Sequence, residues 1–156
     1  MKRRTFMCLA ATGAFTVVAR PMLASQLQMD VYKEPTCGCC EAWAKVMADA
    51  DFNVVLHHGE NALADIKLKL RIPEAMKGCH TAVVGDYFFE GHVPLEAVQK
   101  IMNERPQSAG LAVPGMPAGS LGMGDDPNAS YEVLSLSKPD MKPTLFMRMG
   151  RRLSGR

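Results

Sequence analysis

Four cysteines fall into two short strings, Cys37-Gly38-Cys39-Cys40 and Gly78-Cys79-His80. The first is a C-x-x-C spacing with a third thiol inside it. Pro35-Thr36-Cys37-Gly38 is a turn that places Thr36 or Cys37 to cap a following helix. Free N–H groups and the macrodipole at a helix start favour thiolate over thiol. Thiolate is both the nucleophile of disulfide exchange and a soft metal ligand. A clasp between the adjacent Cys39 and Cys40 would be strained, so the spacing argues against two independent disulfides. Three thiols within four residues suit a metal or a redox exchange better than a staple, with a Cys37–Cys40 disulfide as the alternative state. Four thiolates and an imidazole select Cu(I), zinc or an iron–sulfur cluster. Structural zinc is usually held by paired C-x₂₋₄-C knuckles, whereas Cys79 stands alone, and iron–sulfur spacings do not match. The chain has 12 Met. A thioether is a Cu(I) ligand and a poor zinc ligand, which tilts the choice toward copper.

Further donors stand around these strings. His80 follows Cys79, but neighbours on a strand point oppositely, so it could face away. His92 ends a hairpin before a helix, where capping or packing would serve equally. Met116 and Met123 lie in Gly110 to Asn128 (GLAVPGMPAGSLGMGDDPN), a stretch too dense in Gly and Pro for a regular helix or strand. Thioethers in a polar loop are unlike core Met, so the stretch reads as an ordered arm lying against the domain rather than a linker. His57-His58 end an ordinary strand and read as solvated surface. Trp43, one turn after the motif, reads as core.

The elements that must position these residues alternate. Leu27 to Tyr32 is a strand with Leu27, Met29 and Val31 on one face. Cys40, Trp43, Met47 and Ala50 recur at helical spacing. Asn53 to His57 is a second strand. Leu63, Ile66 and Leu70 mark a second helix that Pro73 ends. Thr81 to Val84 and Tyr87 to Phe89 form a hairpin around Gly85-Asp86. Pro94 opens a third helix with Leu95, Val98, Ile101 and Met102 apolar, closed by Pro106. This β-α-β-α-β-β-α order suits an α/β fold, a mixed sheet with flanking helices on both faces. With a Cys motif between the first strand and first helix it resembles the thioredoxin fold. In that arrangement the loop before the third strand faces the helix-start cysteines. The redox enzymes carry a cis-proline there; here Cys79-His80 takes its place, which favours a metal pocket over a substrate-docking groove. The expected division is residues 26–106 as a thioredoxin-like metal-binding domain, 107–136 as a Gly/Pro/Met-rich C-terminal extension packing on the site, with Tyr131 to Leu136 as one added strand, and 137–156 as a flexible basic tail.

The chain has 156 residues, 47% hydrophobic and 22% charged, with a formal net charge of +2. These are globular values, and the charge gives no case for a nucleic-acid binder. Residues 1–25 read as a cleavable export signal. Met1-Lys2-Arg3-Arg4 precedes an apolar run from Phe6 to Val18, and small residues follow, with cleavage after Ala24 or Ser25. The run is too short to span a membrane comfortably. Arg3-Arg4-Thr5-Phe6-Met7 also resembles the twin-arginine signal, except that Lys2 stands where Ser or Thr is usual. Removal of the segment takes Lys2, Arg3, Arg4 and Arg20 and no acid, leaving 14 basic against 16 acidic residues. Cys8 leaves too, so the mature chain has four thiols in an oxidising compartment. No membrane span remains, and a monomer is expected.

At the cysteines a closer likeness emerges. Lys33-Glu34-Pro35-Thr36-Cys37-Gly38-Cys39-Cys40-Glu41-Ala42-Trp43 resembles the hallmark of the CopG-type copper-resistance proteins. Gly78-Cys79-His80-Thr81-Ala82-Val83, Glu90-Gly91-His92-Val93-Pro94 and Gly110-Leu111-Ala112-Val113-Pro114-Gly115-Met116-Pro117 match further, so the resemblance covers about Met29 to Met123. After about Asp126 no family pattern is found. The resemblance implies a periplasmic thioredoxin-like domain that binds copper through C-x-C-C. It also implies Cu(I)/Cu(II) interconversion ahead of copper-efflux components. The expected ligands are Cys37, Cys39, Cys40 and Cys79, with His80, His92, Met116 and Met123 completing a Cu(I) site that is multinuclear if thiolates bridge. Two other functions fit the cysteines: a metal-free thiol–disulfide oxidoreductase, and a structural-zinc domain that docks a partner.

Overall fold

The computed structural model describes residues 26–150; the expected export signal and the last arginines lie outside them. Its elements are β1 (Gln28–Lys33), α1 (Gly38–Asp49), β2 (Asn53–His58), α2 (Glu60–Lys69), a 3₁₀ turn (Glu74–Met76), β3 (His80–Val84), β4 (Tyr87–Glu90), α3 (Leu95–Glu104), β5 (Ser108–Ala112), β6 (Ser130–Ser137) and β7 (Pro143–Gly150). The strands form one sheet in the order β2-β1-β3-β4-β5-β6-β7. β1 runs parallel to β2 and antiparallel to β3, and β4 runs antiparallel to β3 and parallel to β5. The expected β-α-β-α-β-β-α order is therefore present, with three strands more at one edge.

Strand alternation sorts the side chains onto two faces. Met29, Val31, Ala82, Val84, Phe89 and Leu111 join Trp43 and Met47 of α1 and Val98 and Ile101 of α3 in the larger core. The opposite face carries Phe88, Ala112 and Leu136 with Ile72, which follows α2. Helices thus cover both faces, α1 and α3 on one and α2 on the other. The period-3.6 stripe on α1 buries Cys40, Trp43 and Met47. Burying the first of these sets the orientation of the whole Cys motif.

Two segments differ from the sequence reading. Gly110, Leu111 and Ala112 form the last three of the five residues of β5 rather than loop. Gly110 is there because β5 lies beside Phe88: a Cβ at this position would sit 2.1 Å from the Phe88 carbonyl oxygen. Glycine, a loop signal in isolation, is the residue that lets these backbones meet. Residues 143–150, read as part of a flexible basic tail, instead form β7, antiparallel to β6 from Gly150 opposite Ser130 to Pro143 opposite Leu136. Pro143 sits at the strand's first residue, where a missing N–H is tolerated. A bulge between Val133 and Leu134 breaks the alternation that would have marked the pair. The arm between Val113 and Ala129 contains tight turns, among them Ser120 N–H to Pro117 O at 3.1 Å and Met123 N–H to Ser120 O at 2.8 Å.

Candidate metal centre

The site is built where β1 runs into α1. Cys37 is the N-cap residue, and its sulfur accepts the backbone N–H of Cys40 at 3.3 Å. A sulfur in this position takes up one of the orphan donors of the first turn. The turn before it is held by Lys33, which is fully buried and donates to Glu34 O (3.0 Å), Pro35 O (3.3 Å) and the Glu41 carboxylate (3.1 Å). Cys37 and Cys40 are joined in a disulfide, while Cys39 and Cys79 are free. The Cys39 sulfur lies 3.4 Å from that of Cys37, and the Cys79 sulfur 3.6 Å from that of Cys40. The four sulfurs all lie within 4.8 Å of one another. The loop before β3 therefore faces the helix-start cysteines, as expected.

A second group shares Cys79. Its sulfur is 3.0 Å from His92 Nε2 and 3.7 Å from His80 Nδ1, and the three ligand atoms lie within 4.8 Å. Sequence alone leaves His80 able to face away. It does not, because Cys79 lies in the bend before β3 and strand alternation begins only at His80. His80 shares the parity of Ala82 and Val84, which turns its ring onto Trp43 (centroids 4.5 Å apart) and against the edge of His92 (5.2 Å). Trp43 is core, as expected, and its Nε1–H donates to Val93 O at 2.8 Å, tying α1 to the segment that carries His92. His57 pairs with Asp30 at 2.8 Å on the far edge of the sheet, away from this cluster.

The arm reaches the site through its backbone. His92 Nδ1 is 2.7 Å from Leu121 O. A carbonyl can only accept, so Nδ1 carries the proton and the Nε2 lone pair points at Cys79. Gly122 packs on the first turn of α1. With φ +90°, it leaves no room for a Cβ, which would meet Cys39 O at 2.6 Å and His92 Nδ1 at 3.5 Å. Met123 follows Gly122 and is half-buried, whereas Met116 is 57% exposed.

Burial governs the protonation states. The Cys79 thiol is pushed up to about 12, first by loss of solvent and then by the neighbouring Cys39. Burial pulls His80 down to about 3, with His92, Lys67 and Lys33 acting in the same direction. Burial also lowers His92, against the opposing pull of Leu121 O. The resting cluster is thus a neutral thiol and two neutral imidazoles. The His80 Nε2 is buried with no hydrogen-bond partner. Neutral imidazole is the ligand form, and a metal taking Cys79 must displace its proton.

Sequence reading missed the polar group behind Cys79. Lys67, on α2, donates to Glu90 and to Gly78 O (3.0 Å). Glu90 also accepts from Gly78 N–H and from Thr81 Oγ1, each at 2.6 Å. A weak signal existed: Lys67 follows Leu63 by four residues on the one buried stripe of α2.

Fold and site define a mixed α/β domain whose clustered thiols and imidazoles are able to hold a metal ion. Residues 76–123 match a family described as a protein of unknown function, DUF411. No curated protein matches the chain. Two solved structures do. One, Copper resistance protein copG in Form 1, is 34% identical, covers 81% of this chain and 99% of its own, and superposes with a TM-score of 0.73. The other, Form 2, is 35% identical over 79% of this chain and 98% of its own, with a TM-score of 0.71. The chain belongs to the CopG family of copper resistance proteins.

Proposed function

We propose that this chain is a copper-binding protein of copper resistance that takes Cu(I) through Cys37, Cys39, Cys40 and Cys79. The observation that carries the reading is the convergence of these four sulfurs within 4.8 Å, with Cys79 shared by a second group containing His80 and His92. Soft sulfur with imidazole suits Cu(I). Four sulfurs at this spacing can bridge, so a few thiolates would hold several copper ions. His80 and His92 would add nitrogen donors, and Met116 and Met123 on the arm would cap the copper. Copper is cargo here, and the cysteines are also its redox partner. Two Cu(II) ions would take two electrons from reduced Cys37 and Cys40, giving two Cu(I), the Cys37–Cys40 disulfide and two protons, with Cys39, Cys79 and the imidazoles left to hold the Cu(I) in that state. The reverse reaction returns Cu(II) and the dithiol. Such interconversion would precede transfer to copper-efflux components.

The strand order β2-β1-β3-β4 supports the thioredoxin-like reading of residues 26–106, and the Leu121 and Gly122 contacts support residues 107–136 as an extension packed on the site. We place the working protein in the periplasm as a monomer, exported by residues 1–25. Among the described residues no helix is long and apolar enough to cross a membrane.

The disulfide favours one competing reading, a metal-free thiol–disulfide oxidoreductase. Metal analysis of protein isolated from the periplasm separates the two. Copper near or above one per chain is expected. Metal-free protein with a reducible Cys37–Cys40 bond would replace the proposal with the oxidoreductase, and one tightly held zinc would replace it with a structural-zinc domain.

A further inference from the structure

The two strings that meet at the site, Gly78-Cys79-His80 and Glu90-Gly91-His92, flank the open end of the β3–β4 hairpin, one leading into β3 and the other leaving β4. A backbone bond ties them, Gly91 N–H donating to His80 O at 2.9 Å. They approach so closely that a Cβ on Gly78 would lie 2.6 Å from Gly91 Cα. From the other face of the sheet, Glu90 takes the Gly78 N–H and Lys67 takes the Gly78 carbonyl, so both peptide groups of the residue before Cys79 are held by one ion pair. Thr81 holds the second Glu90 oxygen.

Lys67 and Glu90 are both buried. A buried ion pair is weak evidence for stability, because desolvation offsets most of the attraction. What this pair adds to the backbone bond is a hold on both sides of the peptide that leads into Cys79, against the strand end that carries His92. Resting on the copper reading above, we infer that the Lys67–Glu90–Thr81 group is a positioning device that holds the Cys79 thiol and the His92 imidazole 3.0 Å apart for copper capture. None of the three touches copper; each acts through Gly78 or the β3–β4 backbone. Outer partners of metal ligands typically change affinity by about 10- to 100-fold.

The test is the double variant Lys67→Met with Glu90→Gln. It leaves no unpaired buried charge, and the side-chain amide oxygen that replaces the carboxylate can still accept from Gly78 N–H. Cu(I) is loaded under reducing conditions and its retention measured against a competing Cu(I) chelator. The expected result is a chain with an unchanged circular-dichroism spectrum that holds Cu(I) about tenfold or more weakly. A loose structural tie would give the same number, so a cycle with Cys79→Ser is needed. If the group acts through Cys79, introducing the double variant into Cys79→Ser costs little further, whereas introducing it into Cys39→Ser still costs its full amount. Should the double variant fail to fold, Thr81→Val, which removes one donor, runs in the same cycle with a smaller loss. Retention equal to the parent, or a Cys79→Ser loss that is fully additive, overturns the inference and leaves the copper reading standing. A parent chain that retains no Cu(I) overturns both.

Discussion

Two buried polar clusters lie on opposite faces of the same end of the sheet, and they differ in how they are satisfied. Behind the sheet, Lys67, Glu90 and Thr81 have protein partners at hydrogen-bond distance. In front, Cys79 meets His92 at 3.0 Å, the other hydrogen-bond contacts of the sulfurs are 3.3 to 3.8 Å, and His80 Nε2 has no partner. Buried polar atoms are paired in the great majority of native structures, and an exception calls for a reason. The rear cluster is complete as folded. The front cluster gathers lone pairs that face one another, a donor set able to hold a metal ion. Removing parts of each should therefore fail in different ways: a charge stranded in the rear chiefly costs stability, whereas a donor lost from the front chiefly costs metal content.

The largest effect on copper falls at the one sulfur both front groups share. Cys79→Ser should remove most bound copper while the chain stays folded, because a half-buried thiol is exchanged for a hydroxyl of similar shape. Cys39→Ser should lower copper stoichiometry only in part. Elemental analysis of the two variants beside the parent checks both, and unchanged copper in Cys39→Ser would sink the bridged arrangement.

The largest effect on stability falls behind the sheet. Lys67→Met alone leaves Glu90 buried without its cation and should cost about 3–5 kcal/mol, the usual penalty for breaking a buried pair from one side. Burial already pushes the Glu90 carboxyl up, and losing Lys67 pushes it further. Protonation relieves the penalty, so the deficit should shrink as pH falls through the raised value. Urea unfolding across pH reads this directly; a deficit independent of pH would mean Glu90 is not the group left stranded.

A smaller effect separates the clusters by acid. His80 titrates at about 3 in the fold against an ordinary 6.5, so between those values the unfolded chain binds a proton that the folded chain refuses. Stability of the metal-free protein should therefore be full above about 6.5 and fall as pH drops toward about 3, by up to about 1.4 kcal/mol per pH unit for one group. His92 contributes in the same direction. In His80→Gln the slope should be shallower; an identical slope would show that His80 is not what acid attacks.

The front cluster was legible in the sequence because its chemistry is local. Cys37, Cys39 and Cys40 fall within one helical turn, and the strand–helix order alone brings Cys79 opposite them. The rear cluster was not, because Lys67 on a helix and Glu90 at a strand end look like ordinary solvated charges until α2 is docked on the sheet. The same holds for Leu121, whose contribution is a backbone carbonyl that no side-chain pattern reports. Strands β5 and β7 were hidden by Gly110 and Pro143, residues whose local preference is for loops but whose places in the sheet are set by a close neighbour and by a strand start. Local chemistry can be read from spacing; positions defined by tertiary contact cannot.

The smallest effect tests how far the front cluster extends into the arm. Leu121 and Gly122 touch His92 and the first turn of α1, so Met123 directly follows a residue packed on the site, while Met116 is largely in solvent. Seven residues separate the two sulfurs. Extended, that is more than about 20 Å; folded back, both could meet one copper. Thioethers are neutral and need no deprotonation, so they stabilise Cu(I) without competing for protons. A capping role predicts that Met116→Leu with Met123→Leu keeps the fold, since exchanging Met for Leu usually costs under about 1.5 kcal/mol. Copper should still bind, with retention weakened by about tenfold or less and oxidation in air accelerated. Met123→Leu alone should account for more of the change than Met116→Leu alone, because only Met123 follows a residue packed on the site. Equal affinity and equal air-oxidation rate in the double variant would confine the metal centre to its thiols and imidazoles, with the arm serving only to set the His92 tautomer.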